Sequence, residues 1–435
     1  MTATTIERLR ARLEQPPPGP FRPDFWRSPL RGPWLTSVLG SLLLPLIVVM
    51  ALTGLISHDA YHPELRGNAI IAPAHDIGVL IQFATSGPGW IYALTQGLHV
   101  TVGLITIPLL LAKLWSVIPK LFQWPAVRSV ANAIERLSLL LLVGGALFEF
   151  TTGVLNIQDY YPWHFNFVVA HYWGAWVFFA AFVVHVVVKM PVVVRSYRAR
   201  GILKPLREDL RHTRPEPATE DDGLVPLAPA APTISRRGLL GLVGGTSLTV
   251  LALNIGESVG GPLRRLALLG PRGRVFGTGP NDFQVNRTVA SAGIMPGVIG
   301  ADWRLAVSYA GGSAVSLSRA QLMAMPQHTH SLQIACVEGW STTQRWTGVR
   351  VSDLAALVGA PAGSTVNVQS VQPSGLFRAA TLSSEQVRDE RALLALCVNG
   401  VNLSHDHGYP ARVIAPGLPG VHCTKWVGSM TFERA

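Results

Sequence analysis

Cys336 closes a short apolar run, Leu332-Gln333-Ile334-Ala335, and is followed by Val337-Glu338-Gly339-Trp340-Ser341, with Trp346-Thr347-Gly348-Val349 shortly after. The run reads as a strand and the glycine as a turn, so the thiol stands at a strand end where it can point at a bound metal. Soft metals favour thiolate ligands. A second stretch, His405-Asp406-His407-Gly408-Tyr409-Pro410-Ala411-Arg412-Val413, leads into Pro416-Gly417, Gly420 and Lys425-Trp426-Val427. Its arginine suits a phosphate, because a planar guanidinium fork can bind two oxygens. A third group lies in apolar surroundings. His171 and His185 are 14 residues apart on one span, close to four helical turns, so both rings face nearly the same side about 21 Å apart along the axis. His99 lies on another span, in Gln96-Gly97-Leu98-His99. An ionisable residue inside a span is a functional hypothesis by default. Two imidazoles from facing helices commonly hold a haem b. Gly97 and Gly103 thin the His99 face, which suits a flat macrocycle.

The elements that position these residues fall into two kinds. The 435 residues are 49% hydrophobic and 14% charged, too apolar for an ordinary soluble protein. Four long apolar segments cover 35–57, 90–115, 137–155 and 167–190, each near the roughly 20 residues that cross a bilayer. A fifth, thinned by Gly and Ser, covers 239–255. A Pro- and Ala-rich linker, 201–233, precedes it. The net charge of +11 does not point to nucleic acid, because the basic residues flank the apolar spans. Arg8, Arg10, Arg12, Arg22, Arg27 and Arg31 precede the first span; Lys113, Lys120, Arg128 and Arg136 separate the second and third; Lys189, Arg195, Arg198 and Arg200 open the run after the fourth. The other loops carry His58, Asp59, Glu64, Asp76 and Asp159, with Arg66 the one basic residue. The positive-inside rule therefore places the N-terminus in the cytoplasm, and five spans place the C-terminal domain outside. His58, His62, His75 and His164 read as loop-surface residues, His58 being the reserve haem ligand. Three cysteines make no disulfide framework, and Cys397 and Cys423 read as two buried thiols rather than a pair.

Beyond Arg274 the pattern changes to short strands and turns. Strands are expected at 285–289, 304–309, 332–335, 365–371, 394–398 and 412–415, with short helices at 354–358 and 384–388. The segment is long enough for its own core.

Cys336 and the His405–Lys425 stretch together resemble the molybdopterin domain of the sulfite oxidase family, over roughly residues 276–432. In that family one cysteine ligates molybdenum and the HGYP…R…PG…G…KW stretch wraps the pterin phosphate. The resemblance implies that Cys336 is the metal ligand and that His407, Arg412 and Lys425 hold the pterin, with Ser370, Asn286 and Arg287 as weaker candidates. The sulfite-oxidising branch carries arginines shortly after its cysteine. Here Val337-Glu338-Gly339-Trp340-Ser341 looks more like the bacterial periplasmic methionine sulfoxide reductase. Glu338 would repel sulfite if it faced the pocket, unless Arg345 compensates. The second and fourth spans resemble the four-helix cytochrome b subunits of formate dehydrogenases and hydrogenases, which place one histidine on the second span and two on the fourth. That family has a further histidine near the start of its first span, where this chain has Pro33-Trp34-Leu35. Ser235-Arg236-Arg237-Gly238-Leu239-Leu240 resembles a twin-arginine export signal, here internal.

The expected protein is a multi-domain membrane oxidoreductase. It comprises a cytoplasmic segment (1–34), an all-α four-helix haem bundle (35–200), a cytoplasmic linker (201–234), the twin-arginine-like motif with a fifth helix (235–256), and a mixed α+β molybdopterin domain (274–435). At about 1.5 Å per residue His99 lies about 14 Å and His171 about 6 Å below the outer edge. These two are expected to share one haem b, with His185 the candidate ligand of a second. Electrons would pass between the molybdenum site, the haem and a quinone pool or another redox protein. A sulfoxide or N-oxide reductase is the first expectation and a sulfite oxidase the second. A haem anchor with a degenerate binding domain is the non-enzymatic third, which an intact Cys336 opposes.

Overall fold

Five helices carry the apolar segments: α1 Pro33–Asp59, α2 Trp90–Leu121, α3 Val130–Ile157, α4 Phe167–Arg200 and α5 Arg236–Ala252. The computed structural model describes residues 15–62, 65–68, 90–125, 129–217, 223–375 and 377–434. His75, Glu64, Asp76, Arg8, Arg10, Arg12 and Arg128 lie outside them. The 18-residue windows on these helices reach mean hydropathies of 1.7 to 2.4. With 27 residues in the shortest of the first four, each exceeds the roughly 30 Å of a hydrocarbon core at about 1.5 Å per residue. Leu52, Leu111, Leu140, Val183, Val187 and Leu248 stand exposed on them. An apolar outer face of this kind is stable against lipid, not water. Asn166 starts α4 by accepting from the backbone N–H groups of Val168 and Val169, satisfying two of the helix's unpaired donors.

The chain forms two compact units. One contains Met1–Val48, Gly103–Asn156 and Tyr161–Leu251; the other contains Val49–Val102, Ile157–Tyr160 and Ala252–Ala435. The division therefore runs through α1 and α2. In the first unit, the described part of the 201–234 linker is packed rather than loose. Glu216 accepts from the Trp34 backbone N–H at 3.0 Å. Arg236, fully buried, bonds Glu208 at 3.1 Å and the carbonyls of Arg214 and Pro29. A buried guanidinium needs such partners to offset its desolvation.

The second unit holds two five-stranded sheets. The first has the order β2 (Val315–Ser318), β1 (Arg304–Tyr309), β10 (Val427–Arg434), β5 (Ser364–Ser370), β6 (Ala379–Leu382). Its β1–β10 pair is parallel, with Val307 opposite Met430; the other pairs are antiparallel. The second has the order β3 (His328–Ala335), β4 (Ser341–Arg350), β7 (Leu393–Val398), β8 (Val401–Asn402), with β9 (Arg412–Ile414) also on β7. Leu305, Val307, Val366, Val368, Met430 and Phe432 fill the main core; burying each such side chain contributes roughly 1.5–3 kcal/mol.

Most expected strands form, but 285–289 does not. Its backbone is spent on loops: the Val289 N–H donates to Asp406 Oδ1 at 2.8 Å, and the Thr288 N–H donates to Ser291 Oγ. The strand β4 after the cysteine turn went unpredicted, because Thr342-Thr343-Gln344-Arg345 is too polar to show an apolar alternation.

Candidate active site

Cys336 lies just beyond β3. Its N–H donates to the Trp340 carbonyl at 2.9 Å, and the Gly339 N–H returns to the Cys336 carbonyl at 3.1 Å. Gly339 has φ +93°, a left-handed conformation that favours glycine. Burial, with Glu338 second, raises the Cys336 thiol well above its ordinary value. A metal cation bound here would stabilise the thiolate in place of that proton.

The loop 416–425 is clamped against this strand. Gly420 donates its N–H to the Ala335 carbonyl at 2.7 Å; a Cβ at Gly420 would stand 2.9 Å from that oxygen. Cys336, Asn286, His407, Arg412, Gly420 and Lys425 line one cleft, together with Phe283 and Trp340. Arg412, buried at the start of β9, donates to the carbonyls of His407 at 3.0 Å and Cys423 at 3.3 Å, and its Nε has no partner. Lys425 Nζ donates to the carbonyls of Arg287 and Asp406. Burial lowers Arg412 to about 10 and, with Arg412 beside it, holds Lys425 well below its usual value. Burial followed by Arg412 and Lys425 lowers His407 to about 3, so its ring is neutral, and its Nε2 lacks a partner. Gly408, at φ +112°, lets the stems of Arg412 and Lys425 approach: a Cβ there would lie 3.0 Å and 3.2 Å from theirs.

The remaining candidates are less central. Arg287 reaches the cleft through its carbonyl, while its guanidinium donates to the Ser291 carbonyl. Ser370 ends β5, where its hydroxyl accepts from the Gln372 N–H; it is not among the described residues lining the cleft. Arg345 is exposed on β4 and does not compensate Glu338. Arg272 does: its Nε donates to both Glu338 oxygens at 2.9 and 3.1 Å, its Nη2 donates to Oε1 at 2.5 Å, and Trp340 Nε1 adds a fourth bond at 2.6 Å. Nothing local to residue 272 signalled this, since the pair is 66 residues apart. All three cysteines are free thiols.

The membrane histidines are held at Nδ1. His99 donates from Nδ1 to the Met50 carbonyl at 2.9 Å, with Thr53 Oγ1 at 3.4 Å. His171 Nδ1 faces Thr152 Oγ1 at 3.0 Å and Glu149 Oε2 at 3.1 Å. Each threonine spends its own proton on a helix carbonyl, Val49 or Phe148, which favours the tautomer that donates from Nδ1 and leaves a lone pair on Nε2. This hydrogen bond behind a ligand is what orients a metal-bound imidazole. Gly54 abuts His99 and Gly153 abuts His171, with added Cβ atoms at 2.9 and 3.4 Å from the rings. Gly97 does not serve the His99 face; a Cβ there would meet Ser258 and Gly339. The recurring Thr-Gly pair, at 53–54 and 152–153, was the sequence signal that went unread. His185 and His58 are half-buried on α4 and α1, and His164 is exposed.

Residues 292–435 match a family model, the oxidoreductase molybdopterin binding domain. Mitochondrial sulfite oxidase of Rattus norvegicus is 32% identical over 149 residues, 28% of this chain and 27% of that protein. An uncharacterized oxidoreductase of Bacillus subtilis, YuiH, is 28% identical over 133 residues, 30% of this chain and 66% of that protein. The solved sulfane dehydrogenase SoxCD from Paracoccus pantotrophus aligns at TM-score 0.29 and 24% identity, over 31% of this chain and 39% of that one. The match spans about a quarter of the rat sulfite oxidase. The cleft fits the anionic end of such a cofactor. Arg412 and Lys425 make no ion pair within reach among the described residues, and Arg412 Nε has no acceptor among them.

Proposed function

We propose that this chain, whose residues 292–435 are a molybdopterin oxidoreductase domain of the sulfite oxidase family, reduces a sulfoxide or N-oxide with electrons drawn from quinol through a membrane haem b. Cys336 would ligate molybdenum, and Asn286, Arg287, His407, Arg412 and Lys425 would hold the pterin and its phosphate. The bound metal supplies a two-electron centre that exchanges an oxo group. The reaction balances: a quinol gives two electrons and two protons, the sulfoxide S–O bond breaks, and a sulfide and water leave. His99 and His171 would hold one haem b, and His185 is the proposed ligand of a second.

The observation that carries this reading is a hydrogen bond. Gln96 Nε2 donates to the Val337 carbonyl at 2.6 Å. Gln96 precedes His99 by about one helical turn. A short bonded route therefore joins the residue beside Cys336 to the helix that carries a haem-ligand candidate. Glu338 supports a neutral substrate, because it holds Arg272 in an ion pair and adds a carboxylate two residues from Cys336. A second reading, sulfite oxidation with electrons passed to the haem, is favoured by the similarity to sulfite oxidases. The basic flanks of the spans support an N-terminus in the cytoplasm and a C-terminal domain outside, exported through Arg236 and Arg237.

The test uses purified protein with its haem half reduced. Dimethyl sulfoxide or trimethylamine N-oxide is expected to oxidise the haem, and sulfite to leave it unchanged. Reduction by sulfite, with no response to either oxide, replaces the first reading by the second.

A further inference from the structure

His422 is fully buried, yet among the described residues neither ring nitrogen has a hydrogen-bond partner. Burial without a partner is unfavourable for a polar group, so the ring is placed to receive a partner from a bound molecule. Its surroundings say which kind. The Tyr61 ring stands edge-on to it at 5.3 Å, and Phe377 lies at 5.9 Å. The Tyr61 and Tyr92 hydroxyls meet at 3.3 Å, both rings buried. Tyr61, Tyr92 and Ala335 share one apolar cluster, with Val337 and Phe377 packed on it. Residues 335 and 337 flank Cys336, so this box lies against the thiol's own backbone. All of these residues belong to one compact unit.

We infer that the box of Tyr61, Tyr92, Phe377 and His422 beside Cys336 binds the substrate, and that it selects a neutral molecule with an acceptor oxygen between carbon groups, such as an aryl alkyl sulfoxide, over an oxyanion. This rests on the proposed reductase reading and names its substrate class. The walls are aromatic and apolar. The polar groups are hydroxyls and an imidazole, which burial lowers to about 3 and so keeps uncharged. Arg272 is held by Glu338, and Arg412 and Lys425 face the cofactor cleft, where the cofactor's anionic end would take them up. An oxyanion would lose its water here and gain no counter-charge from the box. A sulfoxide needs one or two donors and buries its carbon groups at a gain. Tyr61 lies in the turn after α1, and its ring must swing aside to admit the molecule, because His422 has no exposed surface.

Calorimetric titration of the oxidised, full-length protein in detergent tests this without turnover. Methyl phenyl sulfoxide is expected to bind and sulfate not to. Tyr61→Phe and His422→Ala should each weaken sulfoxide binding about tenfold, and His422→Gln should restore most of the loss. Sulfate bound as tightly as the sulfoxide overturns the inference, as does unchanged sulfoxide affinity in both Tyr61→Phe and His422→Ala. A sulfoxide that binds through these residues but leaves the reduced haem unoxidised upholds the box and retires the reductase reading instead.

Discussion

His407 and His422 are both kept uncharged by burial, and this gives the protein a pH dependence of known sign. Each ring is lowered to about 3, against about 6.5 in an unfolded chain. Between those values the unfolded state binds more protons than the folded one. The stability these residues contribute is complete above about pH 6.5 and is lost as pH falls. Two such groups set a limiting slope of about 2.7 kcal/mol per pH unit. The melting temperature of cofactor-free protein in detergent should therefore fall between about pH 7 and pH 5, and His422→Gln should halve the fall. A melting temperature flat across that range would contradict the burial of both rings. Cys336, His407, Arg412 and Lys425 were legible because their motifs are local. Arg272, Tyr61 and Tyr92 were not, because they reach the site from distant positions through tertiary packing alone. His422 lies inside the legible stretch, but its missing partners are a property of three dimensions.

The helices position their histidines by a repeated device. A threonine hydroxyl and a neighbouring glycine on α1 meet His99 on α2, and the same pair on α3 meets His171 on α4. The hydroxyl favours Nδ1 as donor, and the glycine leaves room beside the ring. His99→Ala and His171→Ala should each remove the same haem, the one most easily reduced from outside. His185→Ala should remove nothing, or only a second haem. Pyridine haemochrome counts on the three variants check this. Loss of one shared haem in His99→Ala and His185→Ala, with His171→Ala unaffected, would mean that α2 pairs with the deeper histidine. The apolar helices were legible to within about two turns at every end except the C-terminal end of α4, because twenty apolar residues have few other destinations. There α4 runs on ten residues past the expected Met190 to Arg200, through a basic, interface-like stretch. The glycine assignment failed at Gly97, because helical spacing alone does not say which neighbour a face meets.

For the molecule as a whole, the export reading meets a structural complication. Arg236 is fully buried and paired with Glu208, so replacing it removes a packed ion pair as well as half of a twin-arginine motif. Two variants separate these roles. Arg236→Lys with Arg237→Lys should leave the C-terminal domain inside, protected from protease added to intact cells. Glu208→Gln, which keeps both arginines, should export it normally. External cleavage of the domain in the double lysine variant would show that the arginines act as topology charges only. The proposed orientation rests on the charge asymmetry of the loops. The compact units were not legible, because the end of α1 from Val49 and the start of α2 to Val102 group with the C-terminal residues, a long-range grouping that no local pattern announces.

The central claim is that a thiolate-held molybdenum site and a membrane haem form one electron path within this chain. Stopped-flow mixing of the fully reduced protein with a sulfoxide tests it most directly, by following the haem's visible absorbance in the wild type and in Cys336→Ser. The account predicts that the wild-type haem reoxidises, while the serine variant keeps its full haem spectrum and stays reduced. Reoxidation of the serine variant's haem at the wild-type rate would contradict it.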